Sequence, residues 1–173
     1  INTLFFIPNE VGGTEIYLRE TLRSLAVMPD DDSLEIYTNR ENDTLLRSDL
    51  AMEGKVSFTG VDVKARNRYA RIVREQADLP LKARKDKVDV LWSPGYTAPW
   101  YAPCPQVVTI PDMQYKTFPE DFGPLEYVAT SFLVKMASKR ADRVIAISEF
   151  SAGEIERHIG VPRKRIDVVY PAV

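Results

Sequence analysis

Seven short apolar runs, each closed by turn residues and most of them followed by a segment of helical period, constrain this chain more than any other feature. They are Thr3–Ile7, Leu34–Thr38, Val56–Val63, Val88–Trp92, Gln106–Ile110, Arg143–Ile147 and Ile166–Tyr170. A continuous apolar run marks a strand buried on both faces, and parallel neighbours need a long crossover, usually a helix. The expected helices cover about 14–27, with Leu18, Leu22 and Leu25 on one face, and about 65–83, with Tyr69, Ile72, Val73 and Ala77 inward and Pro80 kinking or breaking it. A third covers 125–140, with Val128, Phe132, Leu133 and Met136 inward. A fourth starts at an S-x-x-E box from Ser151 to Glu154 and is closed by Gly160. The polar stretch Asn39–Glu53 has room for a short helix, and Pro111–Pro124 is irregular. The pattern predicts an α/β fold: a doubly wound, mostly parallel sheet of about seven strands with helices on both faces, in one domain spanning all 173 residues.

Charge and rare residues exclude several functions. The net charge of −2 offers no general attraction for nucleic acid. One cysteine, Cys104, excludes an internal disulfide and a cysteine-built zinc site, and one histidine, His158, leaves oxygen ligands as the main option for any metal. No metal is expected. No apolar run reaches the ~18–20 residues that span a bilayer, and no signal-peptide pattern opens the chain, so a reducing, cytoplasmic setting is the default. The chain opens inside an apolar run and stops at Tyr170-Pro171-Ala172-Val173, just past another. One domain of a longer protein is the expectation. Lys64 to Lys87 holds nine cations against Glu75, Asp78 and Asp86, with Lys64, Arg68, Arg71 and Glu75 in a stripe opposite the apolar one. The plain reading is a solvated helix face; the sharper one is peripheral contact with anionic lipid at the inner membrane surface, or with a phosphate-bearing acceptor.

In an open parallel sheet, ligands bind beyond the carboxyl ends of the strands. Four loops qualify: Asn9–Glu15, Ser93–Pro99, Pro111–Phe118 and Ser148–Ser151. Gly12-Gly13-Thr14-Glu15 lets backbone approach a ligand at a helix N-terminus, although it is neither G-x-G-x-x-G nor a Walker loop, and a tight turn without ligand explains it equally. In Pro111-Asp112-Met113-Gln114-Tyr115, the Asp112 carboxylate can accept from sugar hydroxyls or cap the next turn. Ser148 ends a strand, Ser151 reads as a helix cap, and Glu149 has no evident structural duty. Cys104 and His158 are assigned no chemistry.

Taken together, Gly12-Gly13-Thr14-Glu15, Val107-Val-Thr-Ile-Pro-Asp-Met-Gln-Tyr115 with Phe118-Pro119-Glu120, Ala141-Asp-Arg-Val-Ile-Ala-Ile-Ser-Glu-Phe-Ser151, Gly160-Val-Pro162 and Ile166-Asp-Val-Val-Tyr-Pro171 resemble the N-terminal half of group 1 glycosyltransferases. The resemblance covers nearly the whole chain and is most specific from Ala141 to Pro171. It implies a retaining enzyme of GT-B fold, with two Rossmann-like domains across a cleft. This chain would be the N-terminal, acceptor-side domain, and the C-terminal donor-binding domain with its glutamate pair would be absent. It implies substrate-binding roles for Gly12, Gly13, Thr14, Glu15, Asp112, Gln114, Tyr115, Ser148 and Glu149, and transfer of a hexosyl group from a nucleotide sugar, a co-substrate rather than a cofactor, to a sugar or lipid-linked acceptor. The isolated half would be inactive. The histidine that usually precedes the family's aspartate is Pro111 here, which removes one polar contact with the transferred sugar. Two other functions compete. An NADP-type oxidoreductase domain would rely on Arg40 after the second strand, and a non-catalytic binding module needs no second domain.

Overall fold

The computed structural model describes residues 1–50, 54–118 and 123–171. The chain divides into two compact units, Ile1–Val88 and Asp89–Pro171, each built around its own parallel sheet.

In the first unit, helix α1 (Gly13–Val27) precedes β1 (Leu34–Thr38), α2 (Asp43–Asp49), β2 (Val56–Gly60) and α3 (Arg68–Lys85). Strands β1 and β2 pair in parallel from Leu34 against Val56 to Thr38 against Gly60. Leu18 and Leu22 of α1, Ile36 of β1, Leu46 of α2 and Leu79 of α3 are fully buried. The expected first strand, Thr3–Ile7, does not form. Asn2 makes a single bridge to Tyr37, and the chain then turns, with Phe6 N donating to Thr3 O at 3.0 Å. Leu4 and Phe6 are apolar because they are buried, not because they are strand. The carbonyls that a sheet would have used are taken by two side chains. Asn39 Nδ2 donates to Leu4 O at 3.0 Å and Phe6 O at 2.9 Å, and Asn42 Nδ2 to Thr3 O at 2.7 Å and Phe6 O at 3.1 Å. Backbone groups in the interior must be paired, and here asparagine amides replace a strand.

Helix α3 faces the opposite way to the expectation. Its buried positions are Arg71, Glu75, Leu79 and Ala83, spaced i, i+4, i+8 and i+12, while Tyr69, Val73 and Ala77 face solvent and Ile72 is half-buried. The expected charged stripe therefore loses Arg71 and Glu75 to the interior. Pro80 sits inside the helix without ending it, flanked by the buried anchors Leu79 and Ala83. Packing on both sides offsets the hydrogen bond that proline removes.

In the second unit, β3 (Leu91–Ser93), β4 (Gln106–Ile110), β5 (Arg143–Ala146) and β6 (Ile166–Val168) form one parallel sheet in that order. A short α4 (Gln114–Thr117), α5 (Pro124–Arg140) and α6 (Glu149–Ile159) make the crossovers. Val108, Ile110, Val134, Val144, Ala152 and Ile155 lie at the centre of its core. Gly160 ends α6 at φ 77°, a left-handed conformation that favours glycine. The described strands thus number six, in sheets of two and four, rather than about seven in one sheet. In α5 the inward residues are Val134, Met136, Ala137 and Ser138; Val128 and Phe132, expected inside, are exposed. A helix apolar on nearly every side gives no unique inner face to its periodicity. No helix among the described residues is long and apolar enough to cross a membrane.

Candidate functional site

The carboxyl edge of the second sheet gathers three of the expected loops. Ile110 and Ala146 are register partners at the ends of β4 and β5, so the segments starting at Pro111 and Ile147 leave the sheet side by side. A chain of hydroxyls joins them. Ser148 is the N-cap of α6, its Oγ accepting from Ser151 N at 3.0 Å and donating to Ser151 Oγ at 3.0 Å, and Ser151 Oγ donates in turn to Pro111 O at 2.8 Å. The helix thus begins three residues before the expected box, and Ser151, buried in its first turn, ties the two loops together. Substituting Ser148 by alanine should cost about 1 kcal/mol, the usual worth of such a cap. Urea unfolding followed by tryptophan fluorescence checks this, since Trp92 and Trp100 both lie in this unit.

Asp112 is exposed beside Pro111, and its Oδ1 accepts from Gln114 N at 3.0 Å, which fixes the turn into α4. The second carboxylate partner was not among the expected residues. Tyr96, on the β3–β4 loop, hydrogen-bonds Asp112, and burial together with that negative neighbour pushes its hydroxyl far above the ordinary phenol range. A protonated phenol at every working pH is a permanent donor to the carboxylate. Tyr96 holds φ 64°, and its N donates to Thr109 O at 3.3 Å. Nothing in the local sequence marks a non-glycine residue for that conformation, so only the fold exposes this partner.

Gln114 faces solvent, whereas Tyr115 is buried. Burial, with a smaller contribution from Tyr127, pushes the Tyr115 hydroxyl up to about 12, and among the described residues it has no hydrogen-bond partner. Lys116 Nζ lies 4.7 Å from the Tyr127 ring centre and 5.4 Å from that of Tyr115. It donates to Tyr127 Oη at 3.0 Å and to Ser131 Oγ at 3.1 Å, and it draws the Tyr127 hydroxyl below its ordinary value. Glu149 does have a structural duty: both its oxygens accept from Arg163 Nη2, at 3.0 and 2.9 Å. Pro119 and Glu120 of the motif lie outside the described residues.

In the first unit, Gly12 caps α1 at φ 55° and ψ −134°, a conformation that L side chains rarely adopt, and no side chain caps the helix. A Cβ built on Gly12 or Gly13 would meet nothing within 4 Å, so the space before the loop is open. Thr14 is half-buried, its N bonded to Val11 O at 3.2 Å. Glu15 is buried and structural: it accepts from Asn9 N at 2.6 Å and from Arg19 at 3.1 Å, and Arg19 continues to Asp49 at 2.7 Å. The Asp49 and Glu15 carboxylates outweigh burial and hold the Arg19 guanidinium above its ordinary value. Arg40, on which an NADP reading relies, is paired with Asp62 at 2.5 Å. Arg74 of the basic stretch is paired with Asp78 at 2.9 Å.

Compared with models of known families, residues 11–173 match Glycosyltransferase Family 4, a match that spans every candidate residue above. No curated protein matches the chain.

Proposed function

The chain belongs to glycosyltransferase family 4, and on that premise we propose that it is the acceptor-side half of a retaining GT-B enzyme moving a hexosyl group from a nucleotide sugar to an acceptor hydroxyl. The observation that carries this reading is the family match over residues 11–173, which takes in both glycines, Asp112 and Ser148. Each candidate group has chemistry suited to the task. The N-terminus of α1 behind Gly12, which no side chain caps, offers the Gly13 N–H and a positive dipole end to a phosphate, Thr14 N and Glu15 N being bonded to Val11 O and Gly12 O. Asp112, held by the Tyr96 hydroxyl and the Gln114 amide, keeps lone pairs in solvent for sugar hydroxyls. Attack on the face vacated by the leaving group, with the departing phosphate taking the acceptor proton, requires positioning more than a strong protein base. Pro111 then shapes the loop without touching the sugar through a polar atom. A second, donor-binding domain completes the cleft, and this half alone binds weakly without turnover.

Titrating the protein with nucleotide sugars and with NADPH separates the transferase from the oxidoreductase reading. Weak nucleotide-sugar binding is expected, and NADPH binding in its place would overturn the proposal. In the active enzyme, Asp112→Ala should lower kcat/KM about 10- to 100-fold, the worth of one charge-assisted hydrogen bond. Unchanged kcat/KM would remove Asp112 from the acceptor site.

A further inference from the structure

Helix α5 has two apolar faces, and only one of them meets the core. Val134, Ala137 and Ser138 point inward. On the other side Leu125 is 75% exposed, Val128 62% and Phe132 60%, at spacings of three and four residues that line one stripe. Trp100, from the β3–β4 loop and 50% exposed, stands at the end of this stripe. There Trp100, Phe132 and Met136 line an open groove of about 440 Å³, together with Lys135, Lys139 and Arg140. The Arg140 guanidinium stacks on the Trp100 ring, 4.3 Å from its centre. Lys135 and Lys139, both exposed, continue the same stripe past Phe132 at spacings of three and four, and the one acidic residue of the helix, Glu126, lies in its first turn at the far end.

Contiguous exposed apolar surface bounded by charge at one end marks a docking site. We propose that this face of α5, with Trp100, lies against an anionic lipid bilayer. The apolar stripe would enter the interface, the indole would sit at headgroup level, and Lys135, Lys139 and Arg140 would meet lipid phosphates. Charge decides among the occupants. Lys135, Lys139 and Arg140 gather positive charge at one end of the stripe, and an anionic lipid surface complements it. Each cation near such a surface strengthens partitioning roughly fivefold. This surface is distinct from the Lys64–Lys87 stretch, where Arg71 is buried and Arg74 is paired with Asp78. The inference does not depend on the transferase reading.

The test is co-sedimentation of the full chain with phosphatidylcholine vesicles, with and without phosphatidylglycerol, at low and high salt. Binding is expected only to the anionic vesicles and should weaken as salt rises. Phe132→Ser and the double variant Lys135→Glu/Lys139→Glu should each lower partitioning about tenfold or more. The altered side chains face solvent, so the circular dichroism and melting of both variants should match the parent. Arg68→Glu/Arg84→Glu, in the other basic stretch, should leave binding in place. Failure to bind anionic vesicles, equal binding to neutral ones, or full binding by the α5 variants would overturn the proposal. So would a concentration-dependent dimer that Phe132→Ser abolishes without any vesicle binding, which would assign the face to a second copy.

Discussion

Replacing Glu75 by alanine is expected to destabilise the Ile1–Val88 unit by about 3–5 kcal/mol, the usual cost of removing one member of a buried charge pair. The Glu75 side chain is 1% exposed and accepts from Asn2 Nδ2 at 2.7 Å. Arg71 lies one turn earlier on the same inner face of α3 and is also buried. Burial pulls its guanidinium below the ordinary value, the Glu75 charge opposes that pull, and Arg68 adds to it. Without Glu75 a cation that cannot lose its proton stays in the interior with no compensating carboxylate beside it. The double variant Glu75→Leu/Arg71→Met should recover most of the loss, because swapping a whole buried pair for apolar groups is often neutral or stabilising. Both tryptophans lie in the other unit, so amide exchange of α3 and of the β1–β2 sheet is the appropriate measurement. A single-variant loss below about 0.5 kcal/mol, typical of surface changes, would mean that the pair contributes little.

Asn42→Asp is expected to cost about 3 kcal/mol or more and to loosen the segment before the glycine loop. The change puts a carboxylate where an amide nitrogen now donates to Thr3 O and Phe6 O, at a position with no exposure. Thr3 O and Phe6 O each lose one of two donors, keeping only Phe6 N and Asn39 Nδ2 respectively, and a charge enters the interior opposite oxygen atoms. Asn42 Oδ1 also accepts from Asn39 N at 2.9 Å, so the two asparagines form one network. Asn39→Asp should behave alike, since its amide serves Leu4 O and Phe6 O. Loss of exchange protection should begin in β1 and in residues 1–12, ahead of the rest of the unit. Protection that persists there in Asn42→Asp would show that the turns hold without the asparagine amides.

Most of the elements could be read from the residues, and the exceptions have physical causes. The runs at Leu34, Val56, Gln106, Arg143 and Ile166 are strands, and Gly160 closes α6 as its position suggests. The run Thr3–Ile7 failed as a strand because its hydrogen-bond partners are Asn39 and Asn42, more than thirty residues away in a stretch that reads only as polar. The inner face of α3 departs from its apolar periodicity for a similar reason. Charged residues on a helix are ordinarily outside, and burying Arg71 and Glu75 depends on partners such as Asn2, separated from Glu75 by 73 positions. At the candidate site, the rule that loops leave a parallel sheet at its carboxyl edge brings the loops after Ile110 and Ala146 out side by side. It could not show that Glu15 and Glu149 are held by Arg19 and Arg163, or that Tyr96 supports Asp112.

The sequence by itself therefore determined the alternation of strand and helix, the parallel pairing, the edge where the loops gather and the family, since these follow from local periodicity and short motifs. Tertiary structure alone decided the division into two sheets, which faces of α3 and α5 turn inward, and which polar side chains serve the fold rather than a ligand. Those outcomes depend on whether a buried donor or charge finds its partner across the unit, and that is a property of three-dimensional packing that no window along the chain contains.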